Sequence, residues 1–337
     1  MDSFFIYRLP EENKFTGGIG NVATGIGYGF IISSFYNREE ATLTIVRQED
    51  FSLESLRNIN DIKLTDSNSH PIFPFPDQST IKEDYINDVS EIRSVLRENE
   101  KTVYCKTICG EDSIDLYKTL ISLDRAFPEA MVYCFHTPQT GTWIGASPEK
   151  LLSNKNGLLS TMALAGTRKA SEATEWDEKN IGEQRLVTDY ISTILEENGL
   201  NFSYDPHPST RKVGKLEHLC TNFHADYHKS FGTERLKRFL YDLSPTPALC
   251  GYPKEKSYAT IREKERFSRA FYGGFMGPRE KDGDFSFYVI LRSVSISDTH
   301  WCMYAGGGIT PFSIPEKEWE ETESKAASIL EKLIFKR

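Results

Sequence analysis

The β-forming runs of this chain follow one another without regular helical punctuation, and this restricts the fold more than any other feature. Strand-like alternation or apolar continuity marks residues 4–9, 27–35, 43–46, 101–108, 131–137, 142–146, 285–296 and 301–305. Helical spacing marks 80–96, where Ile81, Tyr85, Val89, Ile92 and Leu96 recur, and the segments 113–127, 178–197, 234–243 and 315–335. A doubly wound sheet would alternate strand and helix; long stretches of β between helices point instead to an α+β fold. The run Gly17-Gly18-Ile19-Gly20 is read as a turn between the first two strands. A polar, proline-bearing stretch over 65–78 is the one candidate linker. It divides an N-terminal β-rich part, residues 1–79, from the remainder, 80–337, within one fold. The length of 337 residues fits one large domain or two intimate ones.

Several classes are disfavoured at once. No stretch approaches the ~20 apolar residues of a membrane span, and the opening residues lack a basic segment before their short apolar run. The six cysteines are scattered, with no C-x-x-C pair to suggest a metal cluster or a disulfide framework. A reducing cytoplasm is the expected compartment. The formal charge of −9 argues against a nucleic-acid groove. Net charge says little about one pocket, so an anionic ligand stays open.

Five features carry candidate chemistry. In the strand from Lys101, alternation puts this lysine on the same face as Val103 and Cys105. Burial there would lower its pKa from ~10.4 toward neutrality and make it a base for water. Glu149 closes the tight Gly145-Ala-Ser-Pro-Glu149 turn at the end of a strand, where it could point into a cleft as a general acid. Glu183 shares a helix face with Val187 and Ile194, so its carboxylate extends an apolar stripe inward and needs a partner, often a metal. In the last helix Glu318 lines up with Thr322, Ala326, Ile329 and Leu333; with Glu321 and Glu183 it would form an oxygen-only site suited to Mg²⁺. Finally, Gly306, Gly307 and Gly308 end a strand and could offer backbone N–H groups to an anion, while Arg292 stands in an apolar strand run. Each feature alone also has an ordinary structural explanation: a lysine reaching to solvent, a surface turn, or acidic first turns favoured by the helix dipole.

Their order and spacing resemble the chorismate-utilising enzymes, the family of isochorismate, salicylate, anthranilate and aminodeoxychorismate synthases. Lys101-Thr-Val-Tyr-Cys-Lys106 is similar to the family's K-V-V-L-S-R strand, and Gly145-Ala-Ser-Pro-Glu149 to its G-A-S-P-E turn. Ala163-Leu-Ala-Gly-Thr167 resembles L-A-G-T, Glu178-Lys-Asn-Ile-Gly-Glu183 occupies the place of the K-x-x-x-E-H metal helix, and Pro245-Thr-Pro-Ala-Leu-Cys-Gly251 resembles P-T-P-A-L-S-G. Phe271-Tyr-Gly-Gly274, Arg292-Ser293, Ala305-Gly-Gly-Gly-Ile309 and Glu318-Trp-Glu-Glu-Thr322 complete the set. The match runs from about residue 100 to 322.

The resemblance implies two large, mostly antiparallel sheets packed as a sandwich with helices outside. It implies chorismate as substrate and Mg²⁺ as cofactor, held by Glu183 and Glu321 with Glu318 nearby. Lys101 and Glu149 become base and acid. Arg292, Tyr272 and the backbone of Gly306, Gly307 and Gly308 would grip the enolpyruvyl carboxylate, while Gly166, Thr167, His218, Ala248 and Leu249 line the substrate pocket. Water-adding members carry lysine where Lys101 stands, whereas ammonia-using members carry glutamine, so no glutamine amidotransferase subunit is expected and the chain should act as a monomer. The Ala248-Leu249 pair resembles the isochorismate-forming type; salicylate formation by further loss of pyruvate, or a non-catalytic chorismate-binding protein, are the alternatives. The product could feed menaquinone or a catechol siderophore. Three positions depart from the pattern: Ser244 and Gln184 replace histidines, and Lys106 replaces an arginine.

Overall fold

The computed structural model of the chain describes residues 3–10, 12–36, 39–59, 71–172, 175–227 and 232–336. Its strands are β1 (Ser3–Arg8), β2 (Thr16–Thr24), β3 (Gly29–Ser33), β4 (Thr42–Asp50), β5 (Lys101–Gly110), β6 (Met131–Thr137), β7 (Gly141–Ser147), β8 (Lys150–Lys155), β9 (Leu158–Lys169), β10 (Phe202–Tyr204), β11 (Ser209–Val213), β12 (Leu216–Asp226), β13 (Gly251–Tyr252), β14 (Phe275–Arg279), β15 (Phe285–Val289), β16 (Ser293–Ile296) and β17 (Trp301–Ile309). The helices are α1 (Leu53–Ile59), α2 (Lys82–Val95), α3 (Leu116–Ala126), α4 (Glu178–Glu197), α5 (Thr233–Leu243), α6 (Lys254–Lys264) and α7 (Pro315–Leu330). None is long and apolar enough to cross a membrane among the described residues.

Every strand pairing among the described residues is antiparallel, as the α+β reading requires. The pairings run as one continuous strip: β12–β9–β8–β15–β14–β3–β4–β2–β1–β6–β7–β16–β17–β5–β13, with β10 and β11 on the outer flank of β12. β1 pairs with β6 and β3 with β14, so the first fifty residues are woven into the same strip as the rest.

Alternation explains why the strip is covered on both faces. In β1, Phe5 and Tyr7 enter the large core with Phe30, Phe135, Trp143, Phe287 and Tyr304, which come from both halves of the strip. Phe4 and Ile6, on the opposite face, enter a second core with Leu116, Leu120 and Leu123 of α3 and Ala326 and Ile329 of α7. A strand buried on both faces reads as a continuous apolar run, as Ser3–Arg8 does. α3 starts on Asp115, whose carboxylate accepts from the Lys118 N–H at 2.9 Å. α4 starts on Asp177, which accepts from the Asn180 N–H at 2.8 Å.

Three expectations are corrected. Gly17, Gly18 and Gly20 form no turn: they lie inside β2, where a side chain at Gly20 would come within 1.8 Å of the Val46 carbonyl oxygen. The glycines serve close backbone approach beside a bulge between Ile19 and Gly20. The run 285–296 is not one strand but two, β15 and β16, interrupted at Ile290–Arg292 where Arg292 takes a positive φ of 49°. The last strand, read over 301–305, runs on to Ile309: the glycine run does end the strand but is part of it, with Gly306, Gly307 and Gly308 opposite Cys105, Tyr104 and Val103 of β5. Of the proposed linker, residues 65–70 lie outside the described residues, and 71–78 form no helix or strand.

Candidate active site

The two end regions of the strip, β9 and β12 on one side and β5 and β17 on the other, meet around a cavity of about 770 Å³, part of it open to solvent. Lys101, Glu149, Gly166, Thr167, Glu183, His218, Ala248, Leu249, Tyr272, Arg292, Gly306, Gly308 and Glu321 all line it. Residues as far apart in sequence as Lys101 and Glu321 thus converge on one space. Gly307 and Glu318 do not line it. A Cβ at Gly307 would face Glu318 Oε2 at 3.4 Å, because alternation turns this glycine toward α7.

Glu149 follows β7, and its carbonyl oxygen accepts from the Val289 N–H at 3.0 Å, which fixes the turn against β15. Its side chain is buried, with Oε1 accepting from the Thr246 hydroxyl at 3.1 Å. Burial raises its pKa to about 8; the Thr246 hydrogen bond and the Lys101 charge pull the other way without cancelling it. At neutral pH this carboxyl carries a proton it can give away.

Lys101 is buried, with Val103 beside it in the cavity wall, as alternation predicts. Its surroundings are not the apolar pocket expected: Nζ is ion-paired with Glu183 Oε2 at 2.9 Å. Gly308 makes room for this pair, since a Cβ there would lie 2.3 Å from Lys101 Cε and 2.8 Å from Glu183 Oε2. No side-chain-bearing residue fits at 308 without moving the pair.

On the other wall the break between β15 and β16 turns Arg292 inward. One guanidinium nitrogen lies 2.7 Å from His218 Nε2, and His218 Nδ1 lies 2.9 Å from the Gly166 carbonyl oxygen. The geometry assigns the tautomer: Nδ1–H donates to the carbonyl, leaving Nε2 to accept from Arg292. Burial, then the Arg292 charge, pushes the His218 pKa down to about 3, so the ring is neutral throughout the physiological range. Burial also lowers Arg292, to about 10, which leaves it a cation. Its other terminal nitrogen, Nη1, is buried without a hydrogen-bond partner among the described residues. A buried cationic donor left open in a cavity wall is a receptor for an anionic oxygen.

The acidic side of the cavity is a lattice of carboxylates and ammonium groups. Glu183 also faces Lys179 at 3.5 Å; Lys179 donates to Glu318 at 2.6 Å; Glu321 pairs with Lys325 at 2.7 Å, and Lys325 donates to the Gly306 carbonyl at 3.0 Å. Burial opposes the charge on Lys179, but Glu183, Glu318 and Glu321 outweigh it and push its pKa up. Glu318 moves up as well, chiefly through burial. Among the described residues no three metal-binding side chains converge closely enough to hold an ion as they stand, because each carboxylate is drawn onto an ammonium. The donor set nevertheless suits a hard divalent cation. It is all carboxylate, and Glu318 Oε2 is buried with no hydrogen-bond partner among the described residues.

Sequence reasoning missed Lys179, Lys325 and Thr246. The first two were within reach, each standing four residues from a metal-type glutamate on the same helix face. Thr246 reaches Glu149 only through tertiary folding, and nothing local announces it. The departures from the family pattern fall behind the cavity. Gln184 donates to the Ala163 carbonyl and the Thr221 hydroxyl, tying α4 to β9 and β12. Lys106 lies 3.3 Å over the Trp319 ring and pairs with Glu323, away from the cavity. Ser244 is buried at the end of α5, its N–H on the Leu240 carbonyl.

One cavity thus brings together a protonated carboxyl, an arginine with an open donor and a cluster of carboxylates paired with lysines. The chain belongs to the chorismate-binding enzyme family, whose model matches residues 32–334. Among its relatives is the isochorismate synthase EntC of Escherichia coli, 31% identical over 223 residues that make up 62% of this chain and 56% of EntC. The alignment thus spans little more than half of that relative. The fold is that of DhbC from Bacillus anthracis, with a TM-score of 0.80 at 21% identity over 98% of this chain and 96% of DhbC. It is also that of MenF, the menaquinone-specific isochorismate synthase of Escherichia coli, with a TM-score of 0.78 at 20% identity over 98% and 89% of the two chains.

Proposed function

We propose that the chain is an isochorismate synthase, an isomerase that adds water at C2 of chorismate and expels the 4-hydroxyl group, with Mg²⁺ as cofactor. The observation that carries this reading is Glu149: a buried carboxyl held protonated at neutral pH, sharing one cavity with the amine of Lys101. Expulsion of a hydroxyl group needs an acid, and attack by water needs a base. Glu149 supplies the first proton. Lys101 is the group that takes one from the attacking water.

Arg292 binds the enolpyruvyl carboxylate through its open nitrogen, with His218 fixing the guanidinium from behind and Tyr272 completing that wall. The backbone of Gly306 and Gly308 and of Gly166–Thr167 in β9 shape the space around the ring, and Ala248 and Leu249 add apolar lining. Mg²⁺, when bound, would supply positive charge to hold the ring carboxylate and to offset charge that develops there. Glu183 and Glu321 would hold it, with Glu318 close by. The net charge of −9 is no obstacle, because the cavity itself presents Arg292 and Lys325.

The relatives' names support this reading. A cytoplasmic monomer that needs no glutamine amidotransferase is part of the same proposal. Incubation of the purified chain with chorismate and Mg²⁺, followed by chromatography, tests it. Isochorismate should be the main product and should vanish on chelation; salicylate with pyruvate, or unaltered chorismate, would overturn it.

A further inference from the structure

The three carboxylates of the acidic wall are each paired with a lysine side chain, from Lys101, Lys179 or Lys325. A dication entering that set brings two positive charges into a largely buried place, which costs heavily unless one cation leaves. The lysines differ in their freedom to do so. Lys101 is walled in, its side chain 3% exposed. Lys325, 23% exposed, pairs with one carboxylate only, that of Glu321 on its own helix, and is tied down by the Gly306 carbonyl. Lys179 alone bridges two of the carboxylates, Glu183 and Glu318, from two different helices, and its side chain is 25% exposed. It borders a wide cleft with Trp176, Glu178, Phe312, Lys317 and Glu320. Its four-carbon stem can carry the ammonium into that cleft without moving α4.

We infer that Lys179 is a built-in counter-cation of the acidic cluster, holding Glu183 and Glu318 in the metal-free protein and setting the metal affinity of the site because a divalent cation binds only by displacing it. This rests on the reading of the carboxylates as a cation site. Metal binding is then an ion exchange: one ammonium swings out, Glu183 and Glu318 Oε1 are released beside the already open Oε2, and the buried charge changes by one unit instead of two.

Titration calorimetry with Mn²⁺ alone, without chorismate, tests the inference. Lys179→Met keeps the stem but removes the competitor and should bind Mn²⁺ about tenfold more tightly than the wild type; equal or weaker binding would overturn the inference. Lys179→Arg keeps the cation and should bind no more tightly than the wild type; tighter binding would count against displacement. Binding by the variant but not the wild type would support it strongly. Binding by neither would sink the cation reading and the inference together. A measurement on the unaltered protein covers the case in which a variant fails to fold: acylation of Lys179 by an amine-selective reagent, followed by mass spectrometry, should rise at least severalfold on adding Mn²⁺ while Lys101 stays protected. No rise at Lys179 under saturating Mn²⁺ would refute the displacement.

Discussion

Replacing Glu149 by glutamine separates its chemical role from its cost to the fold. A carboxyl raised from 4.5 to about 8 is disfavoured as an anion by about 5 kcal/mol relative to water. The sign follows from proton uptake. Between pH 4.5 and 8 the folded protein holds a proton that the unfolded chain has lost, so wild-type stability falls as pH rises through this window, by about 1.4 kcal/mol per unit, and levels off above 8. Glu149→Gln has no such proton to lose, and its amide oxygen can still accept from Thr246. The stability difference, variant minus wild type, should therefore climb between pH 5 and 8 by about 4 kcal/mol and then flatten. Urea unfolding at unit steps from pH 5 to 9 measures it, with every other titrating group common to both proteins. In the same preparation turnover should fall by about 10²- to 10⁴-fold, because glutamine cannot protonate a leaving hydroxyl group. The wild type should lose kcat along an alkaline limb near pH 8. A flat stability difference across this window would refute the buried, protonated carboxyl; a climbing difference with undiminished turnover would refute its role as the acid.

Further outcomes follow from the other groups. Lys101→Ala should abolish isochorismate formation while circular dichroism remains native; substantial residual turnover would remove the base from Lys101. Glu183→Gln should shift the Mg²⁺ titration of activity to higher concentration, and an unchanged titration would exclude this residue from the metal site. His218→Phe keeps a ring behind Arg292 but offers no nitrogen, so KM for chorismate should rise by about tenfold, about the worth of one charge-assisted hydrogen bond, with a smaller change in kcat. Because His218 is neutral down to about pH 3, the wild-type kcat/KM profile should show no inflection near 6.5 arising from it. Gly308→Ala should silence the enzyme and cost about 1–3 kcal/mol of stability by urea unfolding, since its methyl group must push apart Lys101 and Glu183.

Legibility in the sequence followed the physics of each signal. α4 and β6 were bounded to the residue because helical periodicity and an apolar run are local statements. The paired faces of Lys101 with Val103, and of Glu318 with Thr322 and Ala326, were likewise readable from period alone. The Gly17–Gly20 run misled because glycine marks a turn and a close strand crossing with the same letter, and only the partner strand decides. Arg292 was placed in a strand because its neighbours are apolar. The break that turns it inward is made by a positive φ that no pattern of hydrophobicity encodes. The charge lattice was half visible: the four-residue spacing of Lys179 with Glu183 and of Lys325 with Glu321 lay open in the sequence, whereas the pairing of Lys179 with Glu318 across α4 and α7 exists only in the folded chain.

The strip of strands has one further consequence. Its two end regions, β9 with β12 and β5 with β17, supply opposite walls of the cavity, much as the two ends of a bracelet meet at its clasp. Each link can be in place while the clasp is still undone. A refolding chain should therefore regain most of its strand content before it can bind substrate, because the cavity exists only once the two end regions have met. Damage anywhere along the ribbon that lets its ends drift by an ångström would be felt first as lost turnover, and only afterwards as lost structure.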